Sequence, residues 1–224
     1  MGIGEEQFRQ QFGSSLSALE ANRKGAGAVG NTYVNALLGI AFSYPTGWKI
    51  HDLKEIARVR EGNLANSHEE ELNEVLRALT DDFVPLVAIG APQLDDPQAR
   101  FGPHEIAPAI SLHLEEILLP EDIPEFALWD HVMTDLANFH AHIEDYRLIS
   151  HPASISISGT DAVQYAASYT FLNADAVGGC LVRERNIYFY QSPIVFSLKM
   201  CDYPERDSRL IYGFEDVVDT IVIR

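Results

Sequence analysis

The chain has 224 residues, 46% of them hydrophobic, with eleven Phe and nine Tyr, enough to bury a sizeable core and too aromatic for a disordered segment. Its 33 acidic residues against 16 basic ones give a formal charge of −17, which repels nucleic acids and anionic membrane surfaces and permits cations or a basic protein surface as partners. No stretch approaches the roughly 18 apolar residues of a membrane span. Met1-Gly2-Ile3-Gly4-Glu5-Glu6 lacks the basic start and apolar core of a signal peptide, so the expectation is a soluble domain, cytoplasmic as given and exported if a leader preceded it.

Phe8, Phe12, Leu16 and Leu19 recur at helical spacing within residues 5–23, with Glu5 and Glu6 at the start and Arg23 and Lys24 at the end, where each sign suits the helix dipole. Gly25-Ala26-Gly27-Ala28-Val29-Gly30 reads as a flexible link. Those glycines carry no Gly-Lys-Ser/Thr ending and open no strand-turn-helix unit, so they are not read as a phosphate loop. The division expected is a leader and link over 1–30 and one domain over 31–224.

Leu38 to Ser43 alternates as a strand and runs into the turn Tyr44-Pro45-Thr46-Gly47, after which Trp48 is expected to anchor one edge of the core. A further extended stretch is read over 48–60. Ser67-His68-Glu69-Glu70 forms a capping box before a helix whose inner face is Leu72, Val75, Leu76 and Leu79, and whose Glu69, Glu70, Glu71 and Glu74 are read as a solvated face. Val84 to Ile89 is a strand. Pro92, Pro97, Gly102, Pro103 and Pro108 then break up a loop holding Asp95, Asp96, Arg100, His104 and Glu105, with no reactive spacing among them.

Ala109 to Glu115 alternates as another strand. A helix is expected over 125–146 with Trp129, Val132, Leu136, Phe139, Ile143 and Tyr146 as its core stripe. From Ser154 onward the pattern is β: Ser154–Ser158, a turn at Gly159, Val163–Phe171, then 178–191 and 194–200 around Ser192-Pro193. A last helix is read over 207–218 and a short strand or coil over 219–223.

His131, Asp135, Asn138 and His142 step along one side of the 125–146 helix, and imidazole and carboxylate at that spacing can converge on a cation. Four residues over three turns of a straight helix cannot all reach one ion, and no His-Glu-x-x-His or Cys pair completes a sphere. The reading is therefore a solvated polar face, with His140 and Glu144 an ordinary i,i+4 pair. Cys180 and Cys201 make no Cys-x-x-Cys motif. A hairpin placing Tyr190 opposite Pro193 puts Cys180 opposite Tyr203, so two free, partly buried thiols are expected. No catalytic, cofactor-binding or metal-binding residue, and no cofactor, is assigned.

Three passages resemble the PsbP-like family in order and spacing: Leu38 to Ile50; Ile157 to Tyr165 with the 183–197 hairpin carrying Tyr188-Phe189-Tyr190 and Val195-Phe196-Ser197; and Phe214 to Ile221. Thr220-Ile221 stands where Ser-Phe is common in that family. The resemblance spans about 31–223 and implies an α+β fold, an α/β/α sandwich in which helices flank a central, mainly antiparallel sheet. It also implies nonenzymatic work. Plant thylakoid members support photosystem II and a nuclear-transport member binds a small GTPase, but no functional residue carries over, because the matching motifs are framework. The function expected is a noncatalytic accessory or protein-binding module. The alternative is a hydrolase or metal-dependent enzyme built on His131, Asp135, His142 and the His104/Glu105 loop.

Overall fold

The computed structural model describes residues 26–51, 84–91, 108–118, 121–143, 145–171, 179–203 and 209–224. Eleven strands among them form two sheets. The smaller sheet has the order β1-β2-β3-β11, from Ala26–Val29 (β1), Thr32–Asn35 (β2), Ile40–Ser43 (β3) and Val222–Ile223 (β11). The larger has the order β4-β5-β6-β10-β9-β8-β7, from Lys49–Ile50 (β4), Val84–Gly90 (β5), Ala109–Ile117 (β6), Arg147–Ile157 (β7), Thr160–Phe171 (β8), Cys180–Gln191 (β9) and Ile194–Asp202 (β10). Every pairing is antiparallel. Two helices accompany them, Leu128–His142 (α1) and Arg209–Asp219 (α2).

The α/β/α sandwich implied by the resemblance is thereby corrected: the described chain is mostly β, and the face of the large sheet opposite α1 is covered by a second antiparallel sheet. The residues read as a flexible link supply part of the reason. Ala26 to Val29 pair with Asn35 to Thr32, so backbone hydrogen bonds make a strand where Gly and Ala offer no side-chain alternation. The second reason is a shorter helix. Read over 125–146, it starts only after the Ile123–Glu125 3-10 turn and stops at Ile143, whose backbone is extended. The leader 5–23, the capping-box helix, most of the 48–60 stretch and the His104/Glu105 loop lie outside the described residues.

The large sheet buries both faces. On one, Ile110, Leu112, Ile187, Phe189, Phe196, Leu198 and Met200 meet Tyr33, Ile40 and Phe42 of the small sheet and Phe214, Val217 and Ile221 from α2 and its end. Phe189 and Phe196, paired across β9 and β10, stack with ring centroids 5.3 Å apart. On the other face, Val132 and Leu136 of α1 and Tyr146 pack on Val163, Tyr165, Ala167 and Tyr188. Ser158 (φ 52°) and Gly159 (φ 81°) close the β7–β8 hairpin as a two-residue turn with both central residues left-handed, the twist such hairpins need.

The β9–β10 register differs from the expected one. Gln191 pairs with Ile194 and Cys201 with Glu184, while Cys180 pairs with Phe171 on β8; Cys201 is a free thiol. Trp48 packs against the main core only partly buried, at its rim. Phe196→Ala should therefore lower stability by about 3–5 kcal/mol and Trp48→Ala by about half of that or less. Two-state denaturant unfolding measures both, and equal losses would contradict this placement of the two rings.

Candidate functional site

The polar side chains of greatest chemical interest gather beneath α1. Along β6 the apolar residues Ile110, Leu112 and Leu114 alternate toward the main core, which turns Ser111 and His113 to the α1 side. Alternation then breaks. Val195 pairs with Glu116 and Phe196 with Leu114, so Glu115 is an extra residue in a β-bulge, and both carboxylates reach the helix.

His131 and Asp135, one helical turn apart, meet them from above. His131 Nδ1 lies 3.3 Å from Glu116 Oε2, and His131 Nε2 lies 3.6 Å from Asp135 Oδ2. One ligand atom from each of Glu115, His131 and Asp135 falls within 4.8 Å of the others. The Glu115 side chain is 3% exposed, with Oε1 at 3.8 Å from Lys199 Nζ. Burial pushes the Glu115 carboxyl up to about 7; the Lys199 charge and Ser197 hydroxyl pull it down, and Asp135 raises it further. Such a carboxyl exchanges its proton near neutrality, beside an imidazole.

The helix face read as a linear set of four thus separates. His131 and Asp135 come together, Asn138 and His140 are exposed, and the side chain of His142 lies outside the described residues. Glu115 comes from a different element and no helical spacing could reveal it. The visible signal was the doubled Glu115-Glu116 after an alternating run, which a regular strand cannot place on one face. Trp129, expected in the core, is 42% exposed.

A second carboxyl group, half-buried, is held differently. Glu184 accepts hydrogen bonds from Tyr146 Oη at 3.4 Å, Tyr169 Oη at 3.2 Å and Asn186 Nδ2 at 2.8 Å. Burial, then neighbouring phenols and the Glu184 charge, push the Tyr146 and Tyr165 hydroxyls far up, so both remain neutral donors. Across the sheet, a cleft of about 350 Å³ is lined by Gln164, Arg183, Arg185, Asp202, Phe214 and Glu215 among others. Its guanidinium groups are engaged internally, with Arg183 Nε donating to the fully buried Asp202 at 2.8 Å and Arg185 to Glu215 at 2.7 Å and Gln164 at 2.6 Å.

No family model matches the chain and no curated protein is similar to it. Among solved structures it is similar to cyanobacterial PsbP from Synechocystis sp. PCC 6803, with a TM-score of 0.46 and 12% identity over 88% of this chain and 95% of that one. It is also similar to LpqN, involved in cell envelope biogenesis of Mycobacterium tuberculosis, with a TM-score of 0.43 and 14% identity over 88% and 86% of the two chains. A Pseudomonas aeruginosa protein of unknown function gives a TM-score of 0.43 and 16% identity over 55% and 77%. All three likenesses are distant, with TM-scores below 0.5 and identities of 16% or less. No helix among the described residues is long and apolar enough to cross a membrane.

Two outcomes follow from the buried polar layer. Glu184→Ala leaves Tyr146, Tyr169 and Asn186 without their acceptor and should cost about 2–4 kcal/mol by denaturant unfolding. Burial first, then Glu184 and Asp202, push the Cys201 thiol up to about 12. In a Cys180→Ser protein, Cys201 should therefore react with iodoacetamide at pH 8 at least about tenfold more slowly than free cysteine; labelling at the free-thiol rate would contradict this.

Proposed function

We propose that the domain is a noncatalytic protein-binding module whose contact surface is the outward side of α1. The observation that carries this reading is the pair Trp129 and Met133, 42% and 44% exposed, one helical turn apart on a helix whose inner side is filled by Val132 and Leu136. Trp and Met are the side chains that bury most on association, one as a rigid ring and the other as an adaptable thioether. Asp130 lies beside them, and the chain carries a charge of −17, so a partner with a basic rim around an apolar pocket is the best complement.

The internal polar chemistry supports the same reading. Glu184 and its phenol and amide donors are bonded to one another inside the sheet–helix layer, the arrangement of a scaffold network.

The test is affinity capture with crosslinking from the native organism, followed by reconstituted binding with the purified partner. Replacing Trp129 and Met133 together by Ala should weaken binding at least about tenfold while leaving the unfolding midpoint nearly unchanged. Unaltered affinity would reject this surface. Saturable turnover by the purified protein, abolished by a single replacement that preserves stability, would reject the module reading altogether.

A further inference from the structure

We infer that Glu115, His131 and Asp135 form a binding site for one divalent transition-metal ion of the zinc type, with Glu116 as the residue that positions the imidazole. The site goes beyond the surface proposed above and does not rest on it. Three donors arrive from two elements, one from the β6 bulge and two from successive turns of α1, with ligand atoms within 4.8 Å of one another. Around a zinc ion bound at about 2.0–2.2 Å, neighbouring ligand atoms stand about 3.3–3.6 Å apart, so closing the set needs side-chain movements of about 1 Å.

The orientation of His131 is the second observation. Its Nδ1 faces Glu116 Oε2 at 3.3 Å, the carboxylate–histidine arrangement that holds the Nδ1 proton and leaves the Nε2 lone pair for a metal. Nε2 is buried, makes no hydrogen bond, and faces Asp135 Oδ2 at 3.6 Å. In that tautomer two electron-rich atoms oppose each other, a contact that a cation between them relieves. Glu115 is the third. It is 8% exposed, and its Oε1 accepts no hydrogen bond.

Lys199 Nζ, 3.8 Å from Glu115, is the cation the metal competes with; its side chain is 20% exposed and lies over the Phe139 ring, a route outward to solvent. One imidazole and two carboxylates, without thiolate, suit Zn2+ or Mn2+ and disfavour Cu(I). Three protein ligands leave coordination positions for water.

The experiment is calorimetric titration of the chelator-stripped full chain with Zn2+, and separately with Mn2+, at raised salt to suppress loose attraction to the acidic surface. One equivalent should bind saturably. Glu115→Gln, His131→Asn and Asp135→Asn should each abolish that binding, and Glu116→Gln should weaken it about 10–100-fold. Nitrogen-15 NMR of the histidine rings keeps the test decisive if Glu115→Gln does not fold. The wild-type His131 should show an Nδ1–H tautomer whose Nε2 resonance shifts with Zn2+ and broadens with Mn2+. Absence of saturable uptake, uptake indifferent to these substitutions, or a His131 that stays doubly protonated at pH 7 with Zn2+ present would each overturn the site; the last would mean that a proton alone bridges Glu116 and Asp135.

Discussion

The pairing of β9 with β10 places large rings and aliphatic chains on both faces of one hairpin, and the small sheet and the two helices cover those two faces. Phe189, Phe196 and Leu198 on one side, and Tyr188 and Val195 on the other, are all 0–1% exposed. A sheet with one wet face needs one layer of cover; this one needs two. The small sheet and α2 supply the first, and α1 the second. That requirement explains why strands as short as Thr32–Asn35 and Ile40–Ser43 matter. Tyr33 and Phe42, paired across them with ring centroids 5.3 Å apart, bring large apolar rings to the junction.

The two faces differ in chemistry. Toward the small sheet the buried polar side chains are Asn35 and Asp202, the latter paired with Arg183, whereas toward α1 they are Glu115, Asn186 and Ser197, beside Tyr165 and Tyr188. Buried polar groups destabilise unless they find partners, and the two carboxylates of this layer meet that demand by different means. Glu184 is surrounded by neutral donors, with the Tyr146 and Tyr169 hydroxyls and the Asn186 amide all directed at its carboxyl oxygens. Glu115 sits near one ammonium group at 3.8 Å, and burial outweighs that attraction in its proton affinity. The first arrangement is that of a structural acceptor. The second leaves a group whose charge answers to what is placed beside it.

Much of the large sheet was legible because its strands alternate or carry dense β-branched and aromatic residues. Val84–Gly90, Ala109–Ile117, Thr160–Phe171 and the 180–202 hairpin stand within a few residues of the pattern-based expectation. β1 was not legible, since Ala26-Gly27-Ala28-Val29 has no preference of its own and exists as a strand through its pairing with β2. Trp129 misled for a different reason: it follows the helical spacing of Val132 and Leu136, yet it is Leu128 in the same turn that packs on the sheet, and Trp129 is left 42% exposed on the flank. The Glu115 bulge depends on how β6 registers against β10, a non-local property. Only the partner strand decides which of two adjacent glutamates is the extra one.

Helix α1 joins the two surfaces that give this molecule its chemical character. Trp129 and Met133 form one i,i+4 pair and His131 and Asp135 another, displaced by two residues and thus about 200° around the helix axis. Between them, Val132 and Leu136 seat the helix on Val163, Tyr165 and Tyr188. A short helix lying on a sheet has little freedom except to slide or rotate, and its polar inner edge opposes both movements through Glu116 and the neighbouring carboxylates. One fifteen-residue helix thus presents an apolar pair to solvent on one flank and an imidazole to the carboxylates of the β6 bulge on the other.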